Sequence, residues 1–284
     1  VEKHNDKGKI ELIRRFVQPF MLRREKSDRR IIQDLPDKIE RKEYCHLSAE
    51  QASLYQSVVS DLMLKMKHAG GIERKGLILA TLTRLKQLCD HPQLLLKNKP
   101  LLAQSGKLVH FFQLLDLLLS QNRSALVFTQ YVRMGRMLKE FIREKHPNCP
   151  VFFMYGGLNS VKREEMITNF REQVGPSVFI LSLKTGGVGL NLTEASDVIH
   201  FDRWWNPAVE NQATDRAHRI GQEKTVHVHK LISIGTLEEK IDEMIERKRT
   251  LTEQVIGQGD GWVTEMKDDE VYDLIRLREK VVAN

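Results

Sequence analysis

The hydrophobic pattern of the chain changes period about a third of the way along. From Ser48 apolar residues recur at Leu54, Val58, Leu62 and Met66, the spacing of one helical face, and Ser48 with Gln51 supplies a capping box to start it. Gly70-Gly71 interrupts the pattern. A second stripe, Leu79, Leu82, Leu85 and Leu88, stops before His91-Pro92, where the proline disfavours further helix. Residues 1–97 therefore read as mostly helical, with these stripes as core. Beyond the polar stretch 97–105, short apolar runs alternate with helical periods. Helices are predicted over 107–120, 134–145 and 161–171, and strands over 125–128, 151–154, 178–181 and 198–201. Asn206-Pro207 joins a capping side chain to a residue suited to the first helical position. A strand at 225–232 follows, and Thr236 with Glu239 opens an amphipathic helix through Ile241, Ile245, Leu251 and Val255. Strands alternating with helices predict an α/β fold, a parallel sheet covered by helices on both faces. In such sheets function gathers at the loops leaving the carboxyl ends of the strands, where Gln130, Gly156, residues 184–189 and Asp202 fall.

Composition narrows the class. At 284 residues the chain can bury a full core as one large domain or two modest ones. A hydrophobic content of 41% beside 29% charged residues is that of an ordinary soluble protein. The net charge of +7 favours polyanionic partners but is too small to decide anything by itself. Cys45, Cys89 and Cys149 are odd in number and widely spaced, which argues against a disulfide framework or zinc site and for a reducing compartment. Apolar runs fall short of the roughly 20 residues of a membrane span, and no signal peptide opens the chain, so an intracellular protein is expected. Val in place of an initiating Met reads as a piece of a longer polypeptide.

The candidate chemistry is concentrated in residues 178–222. A buried strand opens into Lys184-Thr185-Gly186-Gly187-Val188-Gly189, whose glycines let backbone N–H groups approach a phosphate closely, although such a loop alone is equally a plain turn. On the helix begun at Asn206, Gln212, Arg216 and Arg219 fall within roughly 60° of arc at about 100° per residue, aimed at one target. Pairing of Asp215 with Arg219, worth only a few tenths of a kcal/mol, accounts for one arginine but not for the string QATDRAHRIGQ. Cys89 with His91 lacks the further partners of a metal site, and His227 with His229 reads as a half-exposed polar strand face.

SLKTGGVGLNL, DRWWNP and ENQATDRAHRIGQ closely resemble motifs V and VI of the SWI/SNF-type branch of superfamily 2 helicase-like ATPases. FMLRREKSDRRIIQDLPDK resembles the segment leading into that family's second motor lobe, LTRLKQLCDHP a hallmark of its helical insertion, and WVTEMKDDEVYDLIRL its C-terminal brace. The resemblance implies the second RecA-like lobe of an ATP-dependent double-stranded DNA translocase. It divides the chain into a lobe-leading segment and helical insertion (1–97), a RecA-like lobe carrying motifs IV–VI (98–256) and a brace (257–284). Arg216 and Arg219 would be arginine fingers reaching ATP held by the first lobe, with Gln212, Gly187 and Gly189 on the nucleotide side. Gln130 and Tyr131 of motif IV, Gly157, Asn159 and Arg163 beyond it, and Lys184, Thr185 and Gly186 of motif V would contact the DNA backbone. Contacts of that kind ignore base sequence and weaken with salt. Trp204 and Trp205 are expected to anchor their loop, since a duplex tracker keeps bases stacked. Implied partners are duplex DNA, the first lobe and a DNA-bound protein substrate, with no membrane. Residues 14–30 carry a local charge of +5, and two roles compete for them: bracing the lobes and contacting phosphates.

No GxxxxGK[ST] phosphate loop occurs: Ser105-Gly106-Lys107-Leu108 has the GK pair without the upstream glycine or the hydroxyl. Asp268-Asp269-Glu270 follows no buried strand, so it is not the magnesium-binding acid motif. ATP and Mg²⁺ are expected to be bound mainly by a first lobe outside this sequence, and the chain alone is expected to be inactive. A passive DNA- or protein-binding module is the alternative, opposed by the paired arginines. A self-contained nucleotide enzyme is opposed by the absent phosphate loop. The expected location is cytoplasm or nucleoid in a prokaryote and nucleus in a eukaryote, with the plain tail leaning toward a prokaryote.

Overall fold

A computed structural model describes residues 35–96, 104–182, 190–251, 260–278 and 281–282, with backbone alone for 247–251 and 260–262. The basic cluster at 14–30 and the loop 184–189 lie outside the described residues. The chain divides into two units, Val1–Leu35 and Pro36–Asn284; the fold below is that of the second.

Six parallel strands form one sheet: β1 (Lys38–Cys45), β2 (Ala125–Thr129), β3 (Val151–Met154), β4 (Val178–Ser182), β5 (Asp197–His200) and β6 (Val226–Ser233), in the order β1-β6-β5-β2-β4-β3. Among the described residues eight α-helices surround it: α1 (Ala49–Met66), α2 (Gly71–Asp90), α3 (Gly106–Ser120), α4 (Val132–Lys145), α5 (Ser160–Arg171), α6 (Pro207–Thr214), α7 (Leu237–Leu251) and α8 (Asp268–Ile275). This is the RecA-like architecture that the sequence predicts. β2, β4 and β5 are buried along their whole length, because a parallel sheet covered on both faces needs apolar side chains on both. On one face Phe111 of α3 and Leu138 of α4 join Val127, Ile180 and Ile199; on the other Phe170 of α5 joins Leu126 and Phe179. α4 lies so close to β3 that a Cβ at Gly135 would strike the Phe153 ring.

β1 departs from the sequence expectation, which has no strand before residue 125. Its sequence, KIERKEYC, offers charge where an apolar run would be the signal, because it is an edge strand with exposed side chains. β6 holds it in a parallel register from Lys38↔Val226 to Cys45↔Ser233, helped by Lys230–Glu40 at 2.8 Å and His229–Glu43 at 3.0 Å. His229 is a second difference: it is 5% exposed, where a half-exposed face was expected, because Glu43 on β1 and Asp197 on β5 close over it.

A second core gathers Tyr55 and Leu62 of α1, Leu85 of α2, Ile241 of α7 and Leu274 of α8. The helical segment before residue 97 and the C-terminal segment therefore share one interior. Lys107, at the start of α3, locks it to the sheet: its buried ammonium lies 2.9 Å from Asp90 at the end of α2 and 2.7 Å from Glu238 at the start of α7. Gly106 beside it has no room for a side chain, since a Cβ would run into the His46 carbonyl. Among the described residues no helix is long and apolar enough to cross a membrane.

Candidate functional site

β2 and β5 release their chains side by side at the carboxyl edge of the sheet, and Asp202 ties the two loops together. Its carboxylate accepts from Thr129 Oγ1 at 2.6 Å, from the Gln130 amide N–H at 3.0 and 3.1 Å, and from Gln130 Nε2 at 2.7 Å. Gln130 Nε2 also donates to the Arg203 carbonyl at 2.7 Å, while its Oε1 accepts from Lys86 Nζ of α2 at 3.1 Å. The Gln130 amide is thus committed to protein groups on three sides. Burial raises the Asp202 carboxyl above its ordinary range, against the charge of Lys86 and the Thr129 hydrogen bond. Tyr131 sits at the cap of α4, half-buried against the sheet core.

Arg203 is 2% exposed and carries the tie onward. Its Nε donates to Glu210 of α6 at 2.9 Å, and its Nη1 pairs with Asp242 of α7, which also meets Lys42 of β1 at 2.8 Å. Trp204 N–H donates to the same Glu210 oxygen at 2.9 Å. Burial would raise the Glu210 carboxyl, but Arg203, His200 and Lys230 outweigh it and hold the group below its ordinary value. Trp205 packs into the helical core and Trp204 into the second face of the sheet, the anchoring expected of both.

The helix expected to carry three site residues is shorter than its sequence suggests. Asn206 caps α6 through the Ala208 N–H at 2.9 Å, but α6 ends at Thr214. Arg216 and Arg219 lie in the turns beyond, so the shared helical face expected of Gln212, Arg216 and Arg219 is not formed, and only Gln212 is on the helix. The cause is tertiary. The Arg216 carbonyl accepts from Leu192 N–H at 3.0 Å, and bonds of the tighter three-residue type run from Arg216 to Ala213 and from Ala217 to Thr214. Thr214 Oγ1 is also taken by His200 Nε2 at 2.9 Å. Gly221 then turns the chain with φ +97°, and Gln222 Nε2 donates to the carbonyls of Thr193 at 2.8 Å and Ala195 at 2.9 Å. Gln212 and Arg219 stay exposed while Arg216 is nearly buried; burial and the Arg219 charge pull its guanidinium below its ordinary value.

The remaining candidates divide in two. Gly157, Asn159 and Arg163 come together after β3: Asn159 Oδ1 caps α5 through the Lys162 N–H at 2.9 Å, and Arg163 Nη2 donates to the Gly156 carbonyl at 2.8 Å. Lys184, Thr185, Gly186, Gly187 and Gly189 fall outside the described residues, but the chain resumes at Leu190 and is bonded to the arginine segment two residues later. Sequence reasoning gave no part to Lys86, Arg203, Glu210 or His218, whose Nε2 is 2.9 Å from the Pro36 carbonyl. The available signal was charge set inside apolar stretches, as at Lys86 between Leu85 and Leu88.

The helicase conserved C-terminal domain family matches residues 107–221, and the SNF2-related domain family residues 2–94. YwqA of Bacillus subtilis (strain 168), named for ATP-dependent helicase/translocase activity, is 49% identical over 98% of this chain and 30% of its own length. The Sulfolobus solfataricus SWI2/SNF2 ATPase core in complex with dsDNA superposes with a TM-score of 0.78 at 43% identity, covering 98% of this chain and 58% of that one. The C-terminal domain of a Sulfolobus solfataricus SWI2/SNF2 ATPase superposes with a TM-score of 0.74 at 42% identity, covering 85% of this chain and 100% of that domain. The chain belongs to the SWI2/SNF2 ATPase family. As a SWI2/SNF2 C-terminal lobe it keeps the parallel RecA-like sheet, with motif IV at the end of β2, the DRWWNP loop at the end of β5 and motif VI running from α6 into the turns after it. It spans under a third of the length of YwqA.

Proposed function

We propose that this chain is the second motor lobe of an ATP-driven translocase on double-stranded DNA. The observation that carries the reading is its match, at 42% identity, to the whole of a SWI2/SNF2 ATPase C-terminal domain. In this reading Arg216 and Arg219 stabilise the charge that spreads over the transferring phosphoryl group of ATP, a task for which an always-charged, two-pronged guanidinium is suited. Gln212, exposed on α6, supports the nucleotide, with Gly187 and Gly189. Lys184, Thr185, Gly186, Gly157, Asn159 and Arg163 hold DNA phosphates. Among the described residues there is no group of three His, Cys, Asp or Glu side chains able to hold a metal ion, and the Mg²⁺ that accompanies ATP is assigned to the first lobe. Closure of the two lobes around ATP, followed by release, would step them along the duplex. DNA-bound proteins in its path are the substrates this reading assigns.

The test is ATP hydrolysis by the protein with its upstream half, with and without duplex DNA. Duplex should stimulate turnover, and Arg216→Ala or Arg219→Ala should lower kcat by about 10³-fold with ATP still bound. The 284-residue chain alone should show no turnover. Normal hydrolysis by both variants, with DNA binding retained, would replace the motor with a passive binding module.

A further inference from the structure

Lys86 is a buried cation that the motor reading does not use. It lies on α2, outside the RecA-like sheet, and is 3% exposed. Burying an ammonium is costly unless partners replace water. Here Gln130 Oε1 accepts from it at 3.1 Å, and its Nζ stands 5.8 Å from the Trp204 ring and 5.9 Å from the Trp205 ring. Gln130 spends its two ends in opposite directions. Its acceptor faces the helical layer and its donors face Asp202 and the Arg203 carbonyl, a division that a carboxylate or an alkyl chain cannot make. From Arg203 the path continues through Glu210 into α6, whose last turn leads to Arg216.

We infer that Lys86 and Gln130 are positioning residues that link helix α2 to the arginine-bearing segment, so that displacement of the helical layer alters the presentation of Arg216 and Arg219. The inference rests on the motor reading and deepens it: motif IV becomes an internal coupling, with Gln130 facing the protein and not the duplex. The charge of Lys86 also reaches Asp202, the carboxylate bonded to Gln130, where it opposes the upward pull of burial on that group.

The protein with its upstream half is assayed as Lys86→Met, Gln130→Met and the double variant, with thermal midpoints recorded alongside. Each single change should lower DNA-stimulated kcat about tenfold while the KM for ATP and duplex affinity stay within about twofold, and the double should fall no further than either single. In the 284-residue chain both singles should shift tryptophan emission, because Trp204 and Trp205 lie under Lys86. Turnover near wild type, or losses that multiply in the double, overturns the link. Lost duplex affinity in Gln130→Met that parallels its lost turnover overturns it too, and returns Gln130 to the DNA. If Lys86→Met does not fold, Lys86→Arg keeps the buried charge with a different donor geometry: a partial loss of kcat supports the link and wild-type turnover overturns it. A wild type without DNA-stimulated turnover removes the motor reading as well, whereas an active wild type with unaffected variants removes this inference alone.

Discussion

The Leu192 amide donates to the Arg216 carbonyl at 3.0 Å, so the segment leaving motif V and the arginine turn of motif VI are one hydrogen-bonded unit. Gln222 closes the same unit from the other side through Thr193 and Ala195. Gln222→Ala strands two carbonyls and should cost about 2 kcal/mol. Hydrogen exchange at the Leu192 and Ala195 amides should rise with it; unchanged exchange there would show that the unit holds without Gln222.

Lys107→Met leaves Asp90 and Glu238 buried without their cation. Breaking a buried pair in this way costs roughly 3–5 kcal/mol, read as a lower urea midpoint. Adding Asp90→Asn and Glu238→Gln should restore much of the loss. A triple variant no more stable than Lys107→Met would mean that Lys107 acts through packing and not through its charge.

His200 sets a pH dependence. Burial pulls its imidazole from the ordinary 6.5 down to about 4, where it stacks on Phe128. Between those values the unfolded chain takes up a proton that the folded chain refuses, so this contribution to stability is lost as pH falls from 6.5 toward 4. The full effect is about 3 kcal/mol. Asp202 and Asp90, raised by burial, act in the opposite sense, so the clean measurement is a difference. Urea midpoints of wild type and His200→Gln at pH 7 and pH 5 should converge as the pH drops; parallel shifts would refute the assignment.

Two glycines should respond oppositely to alanine. At Gly106 the new Cβ meets the His46 carbonyl, a backbone atom that cannot swing away, and the loss should be about 2 kcal/mol or more. At Gly76, inside α2, nothing lies within 4 Å, and Gly76→Ala should gain about 0.5–1 kcal/mol. Thermal midpoints moving in the same direction would contradict this reading.

Local signals carried most of the architecture. The apolar runs at β2, β4 and β5, the capping box of Ser48 with Gln51 and the Asn206 cap are written in adjacent residues and could be read there. β1 could not, because a charged edge strand depends on β6 for its existence. Nor could the end of α6: residues 215–219 have ordinary helical composition, yet Arg216 and Ala217 bond three residues back in a segment whose Arg216 carbonyl is held by Leu192. At the site, the paired arginines were visible as a string. The commitment of Gln130 to Asp202 and Lys86 was not, since it depends on three segments meeting at one edge of the sheet.

The pairing of β1 with β6 also has a consequence for the birth of the molecule. β1 ends at Cys45 and its partner begins at Val226, so nearly the whole lobe must leave the ribosome before the edge strand has anywhere to go. The same holds for α1 and α2, whose core is closed by α7 and α8. At roughly 5–20 residues per second that interval is on the order of ten seconds or more, during which Tyr55, Leu62 and Leu85 have no permanent neighbours from the far end of the chain. A nascent lobe of this design carries apolar surface made for partners still unsynthesised, and gains a finished sheet only when β6 emerges.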